Sequence, residues 1–90
     1  MIIKQLVGAR IKELRKELGE TQEALAFKAD IDKTYWNEVE NGKRNVSIVN
    51  LNKIISVLNV SVSDFFDHKS FKKIIGVSNA NTSKQKGGKK

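Results

Sequence analysis

"DKTYWNEVENGKRN", Asp32 to Asn45, decides how this chain is read. Asp32 is a good N-cap, because its carboxylate can accept from the unpaired backbone N–H groups of a first helical turn. Gly42 is a natural stop. Stepping about 100° per residue from Trp36 puts Trp36, Val39 and Glu40 on one side of a helix running from Lys33 to Asn41. Thr34, Asn37, Glu38 and Asn41 fall on the opposite side, and Lys33 and Tyr35 flank. One face suits a core and the other is polar. Yet three carboxylates, Asp32, Glu38 and Glu40, oppose three cations, Lys33, Lys43 and Arg44. The segment is either a helix that meets a polyanion or an ordinary mixed-charge helix.

The flanking segments are also helical. Upstream, Thr21 caps "QEALAFKA", whose inner face is Leu25 and Ala29 with Ala26 beside them. Asp30 stands where the chain must turn. Before that, Ile3, Leu6, Val7, Ile11, Leu14 and Leu18 recur at helical spacing, and Gly19 ends the run. Arg10, Lys12, Arg15 and Lys16 lie mostly off this stripe. Downstream, Ser47 caps a fourth helix carrying Ile48, Val49, Leu51, Ile54, Ile55 and Leu58, with Asn59 as its end. Ser61 caps a short fifth, "VSDFFDH", with Asp64 at capping-box spacing. Phe65 and Phe66 give that helix more apolar surface than one turn needs. The reading is all-α, with five helices and no internal repeat.

The chain has 90 residues, 39% hydrophobic and 30% charged, without proline or cysteine. That suits one small domain. The net charge is +7, and its placement matters more than its size. Residues 1–68 carry 10 Lys and Arg against 10 Asp and Glu, whereas residues 69–90 carry seven lysines and no acid. The division is therefore a folded domain over 1–68 and a basic, flexible tail over 69–90. Such a tail either attracts a polyanion or simply keeps the end soluble and disordered. Within it, "FKKIIGV" is a short apolar patch that fits a strand, a helix extension or an interface.

Several classes drop out. Without cysteine there is no disulfide framework, thiolate zinc site or cysteine nucleophile. His68 is the single histidine. Its neighbours Asp67 and Asp64 make a poor metal set, and a helix-end histidine is usually solvated. No glycine-rich phosphate loop follows a strand, and no nucleophile–base pair stands out, so no catalytic residue, cofactor or metal is expected. The start "MIIKQLVGARIKELRK" is neither a signal peptide nor a membrane span. A cytoplasmic location is the expectation.

The window Gln22–Asn41 holds two short helices joined by a tight turn. Ala26 sits where their backbones must approach, and Leu25, Ala29, Ile31, Trp36 and Val39 face inward. This resembles the helix-turn-helix of the lambda-repressor-like family, also called XRE or Cro type, over roughly residues 5–67. "TYWNEVENGKRNVSI" also looks like the small controller proteins of restriction–modification systems. One departure is Asp30, where the family usually has glycine in a turn of positive φ. Asp tolerates that conformation better than most residues, at about 1 kcal/mol relative to Gly.

The resemblance implies a DNA-binding transcription regulator, a homodimer on a two-fold operator. A further possibility is the antitoxin of a toxin–antitoxin pair, with a toxin as partner protein. No small-molecule effector is evident. By family analogy, Lys33 and Thr34 meet base edges, with Asn37 and Glu38 one turn on. Glu38 either accepts from a cytosine amino group or stays solvated. Gln22, Tyr35, Asn41, Lys43, Arg44 and Asn45 are assigned to the DNA backbone, since phosphate contacts fix register. Tyr35 also suits a thymine methyl or simple surface packing, and Arg44 a base. The family pairs an arginine of the first helix with a glutamate late in the third, here Arg15 and Glu40. Val60, Val62, Phe65, Phe66 and Ile74–Ile75 are the candidate dimer interface, unless they merely close the core.

Overall fold

The structure, a computed structural model, describes residues 2–72. These residues form six helices and no strand: α1 (Ile2–Leu18), α2 (Gln22–Ala29), α3 (Lys33–Glu40), α4 (Ile48–Val57), α5 (Val62–Phe66) and α6 (Lys69–Lys72). The all-α expectation holds, with one short helix added at the end.

The helix starts follow from local chemistry. Thr21, Asp32, Ser47 and Ser61 each accept from a backbone N–H of the turn they open. The ends of the first three helices share one device. Gly19, Asp30 and Gly42 have φ of 72°, 58° and 72°. In each case the next residue's N–H reaches five residues back: Glu20 to Arg15, Ile31 to Ala26, and Lys43 to Glu38. These are Schellman closures, and Asp30 performs one without being glycine.

One core gathers all the long elements. Ile11 of α1, Leu25 of α2, Trp36 and Val39 of α3, Ile54 and Leu58 around the end of α4, and Phe65 of α5 are fully buried. Ala26 is also buried, which lets α2 approach its neighbours. Gly8 fulfils a stricter requirement. A Cβ there would collide with the Val39 carbonyl oxygen and lie 2.6 Å from that of Glu40. Helix α1 therefore crosses the C-terminal turn of α3 at backbone contact.

Arg10 fastens α5 to α1. Its Nε donates to the Phe65 carbonyl (2.8 Å) and its Nη2 to the Asp64 carbonyl (2.9 Å). A cation thus sits where the last carbonyls of a helix concentrate negative charge.

Three expectations change. Ile3 and Leu18, read as part of the inner stripe of α1, are exposed, as are Ile48 and Val49 of α4. Phe65 leaves the candidate dimer face because it is wholly buried, and Val60 is half-buried against the core. Two adjacent phenylalanines on one helix point in different directions, so only Phe66 stays at the surface. Finally, ordered chain continues past His68: Phe71 of α6 packs on the core, 5.1 Å from Phe66 and 6.2 Å from Phe65 between ring centroids. Ile74, Ile75 and the rest of the basic tail lie outside the described residues.

Candidate nucleic-acid interface

Helix α3 is anchored from beneath by a buried charge. Glu40 is 5% exposed. Its Oε2 accepts from Arg15 Nε (2.6 Å) and Trp36 Nε1 (2.7 Å), and its Oε1 from Arg15 Nη2 (3.1 Å) and Gln22 Nε2 (2.8 Å). Burial alone would raise this carboxyl's pKa. The hydrogen bonds from Arg15, Gln22 and Trp36, with the charge of Arg15, outweigh burial and hold it below its ordinary value. Arg15 spends a further donor on the Glu20 carbonyl (2.9 Å), tying the α1–α2 turn to the same centre.

From this centre a run of amides leads outward. Gln22 Oε1 accepts from Asn37 Nδ2 (3.0 Å), and Asn37 Oδ1 accepts from Asn41 Nδ2 (3.2 Å). Gln22, assigned to the DNA backbone, thus spends its side chain bridging Glu40 and Asn37. Asn37 and Asn41 are exposed on the outer face of α3 beside Lys33 and Thr34. Asp32 serves as the cap of α3, accepting from the N–H groups of Thr34 (2.9 Å) and Tyr35 (3.2 Å).

The loop after α3 adds Lys43, Arg44 and Asn45, all exposed. Arg44 turns back over α3. Its Nε donates to Glu38 Oε1 (2.7 Å), and its guanidinium lies 5.2 Å from the centre of the Tyr35 ring. The hydrogen bond and charge of Glu38 raise the pKa of Arg44 further. Tyr35 is half-buried against the core, and its hydroxyl accepts from Asn50 Nδ2 of α4 (3.3 Å). Asn50 was not anticipated, since an asparagine within a helix gives no sign of its partner. Nor was the Glu38–Arg44 pair, whose members lie six positions apart across a turn.

Of the residues expected at one surface, Lys33, Thr34, Asn37, Asn41, Lys43, Arg44 and Asn45 are exposed and Glu38 is half-buried, all on α3 or in the segment that follows it. Hydrogen bonds join Asn37 to Asn41 and Glu38 to Arg44. The candidate interface residues lie elsewhere. Val62 and Phe66 join Ile48, Val49, Leu51 and Ile55 around an apolar groove between α4 and α5. Among the described residues there is no acidic, histidine or cysteine cluster able to hold a metal, and no helix long and apolar enough to cross a membrane.

Known proteins share this arrangement. The chain is 48% identical to control protein C.MunI of Mycoplasma sp over 65 residues, covering 71% of this chain and 88% of that protein. It is 43% identical to the HTH-type transcriptional regulator SinR of Bacillus subtilis (strain 168), covering 71% of this chain and 59% of SinR. Among solved structures, the restriction–modification controller protein C.Esp1396I, a tetramer in complex with its natural 35-base-pair operator, superposes with a TM-score of 0.76. That match has 37% identity and covers 81% of this chain and 99% of the controller. The sequence pattern of the helix-turn-helix family matches residues 11–65, and by that match the chain belongs to the helix-turn-helix family.

Proposed function

We propose that this chain is a sequence-specific DNA-binding transcription regulator that binds a two-fold operator as a homodimer. The observation that carries the reading is the division of α3. Trp36, Val39 and Glu40 lock the helix into the core, while Lys33, Thr34, Asn37 and Asn41 stand outward beside a basic loop. A helix presented in this way can enter the major groove with its N-terminal residues at base edges. Lys33 and Thr34 take that place, and Lys43 and Asn45 suit flanking phosphates. No catalytic step is part of this role.

The apolar groove of α4 and α5 is the proposed dimer face, with Val62 and Phe66 at its centre. Two copies joined there would present two α3 helices to half-sites about one helical turn apart. The likeness to C.MunI, which spans most of that protein, favours a finer role as controller of a restriction–modification system.

Selection from random duplex DNA, followed by binding titrations at several salt concentrations, tests the reading. A recovered motif with two-fold symmetry is the expected result. Binding without sequence preference, at equal affinity for every duplex, would overturn it.

A further inference from the structure

Asp32 caps α3 and Glu40 holds Arg15, but Glu38 does neither. Its side chain is 34% exposed and engages Arg44, itself 52% exposed, through a single contact at Nε. Among the described residues, Nη1 and Nη2 of Arg44 meet no protein acceptor. The Tyr35 ring lies against the guanidinium, and Asn50 holds the Tyr35 hydroxyl. The Schellman closure from Lys43 N–H to the Glu38 carbonyl (2.9 Å) folds the loop back and places Arg44 over Glu38.

We propose that Glu38 is a positioning residue that buttresses Arg44 so that its free fork reads a guanine in the major groove. The proposal rests on the DNA-binding role above. Its argument is one of charge against geometry. A phosphate clamp works through net charge, and a carboxylate 2.7 Å from the cation would oppose it. A base reader works through orientation. Arginine recognises guanine O6 and N7 with two parallel N–H donors, so its plane must be fixed. Here a carboxylate on Nε and a ring against the guanidinium fix it before DNA arrives, leaving the end that carries Nη1 and Nη2 open. Pre-orientation also lowers the entropy lost when a long side chain is immobilised. Glu38 thus acts through Arg44 and does not itself accept from a base.

The test is selection and titration with the full chain, using wild type, Glu38→Ala, Glu38→Gln, Arg44→Ala and the Glu38→Ala/Arg44→Ala double variant. Thermal melts establish that each remains folded. Arg44→Ala and Glu38→Ala should both lose a guanine preference at the same operator position, by roughly tenfold. The double variant should be no worse there than Arg44→Ala. Glu38→Gln, which keeps an acceptor for Nε, should retain most of the preference. Loss at a cytosine position that Arg44→Ala leaves intact would make Glu38 the reader and overturn the proposal. So would a Glu38→Ala protein that binds every duplex more tightly with unchanged preference, because Glu38 would then only repel phosphate. A wild-type protein without any preferred sequence would instead sink the underlying DNA-reading role.

Discussion

At the scale of single residues, two acids show opposite kinds of necessity. Glu40 is buried, charged and four times hydrogen-bonded, so removing it strands Arg15 beside the core. Glu40→Ala should cost about 3–5 kcal/mol in denaturant unfolding. The carboxyl also sets an acid limb. Its folded pKa lies below its ordinary value of 4.5, so the folded state holds this proton less tightly than the unfolded one. Its contribution is then complete above about pH 4.5 and is lost as pH falls through the lowered folded value. Glu40→Gln should flatten that part of the stability–pH curve, measured by denaturant titration at each pH. Asp30, by contrast, occupies a left-handed position for which it is second best. Asp30→Gly should keep the fold and raise stability by up to about 1 kcal/mol, read as an unchanged or higher melting temperature. Both residues were legible in the sequence, Asp30 as a departure from the glycine that the family resemblance implies at a left-handed turn, and Glu40 through its side of the helix, with Arg15 as the partner the resemblance implies. The Gln22 bridge was not, because a glutamine at a helix start carries no mark of what lies above it.

At the scale of elements, close approach governs. Gly8 exists so that α1 can touch the carbonyls ending α3, and backbone cannot yield as a side chain can. Gly8→Ala should destabilise by about 3 kcal/mol in the same unfolding assay. Nothing local marks this glycine, since the constraint arises only when two distant segments meet. The four caps were legible because capping is a contact of two or three residues. Helix α6 was not. Four residues cannot sustain a helix by propensity, and Phe71 is held through Phe65 and Phe66. The outer face of α3 and Lys43 of the loop after it should behave as two functions. Lys33→Ala or Thr34→Ala should relax preference at defined base positions, by roughly 1–3 kcal/mol for a good contact. Lys43→Ala should weaken all sequences alike and reduce the salt slope by about one unit. Titrations on cognate and scrambled duplexes at several salt concentrations separate the two.

At the scale of the whole molecule, the apolar groove and the polar face lie on different elements, so assembly and recognition can be perturbed apart. Val62→Glu, at a half-exposed position, should leave the melting temperature of the monomer nearly unchanged. It should shift sedimentation from dimer to monomer, and operator affinity should fall with it. Which of Phe65 and Phe66 faces outward was not legible, because periodicity over five residues cannot fix a helix's rotation. One last consequence comes from the amides that run from Glu40 to Asn41. A carboxylate can only accept, so Gln22 must turn its NH2 inward and its oxygen outward. Asn37 must then do the same, and Asn41 after it. Three freely reversible groups acquire a single polarity, like a row of dominoes fallen one way. The sign of one buried charge is thereby printed on the surface as a fixed order of donors and acceptors. DNA docked on α3 as proposed would meet that order already set.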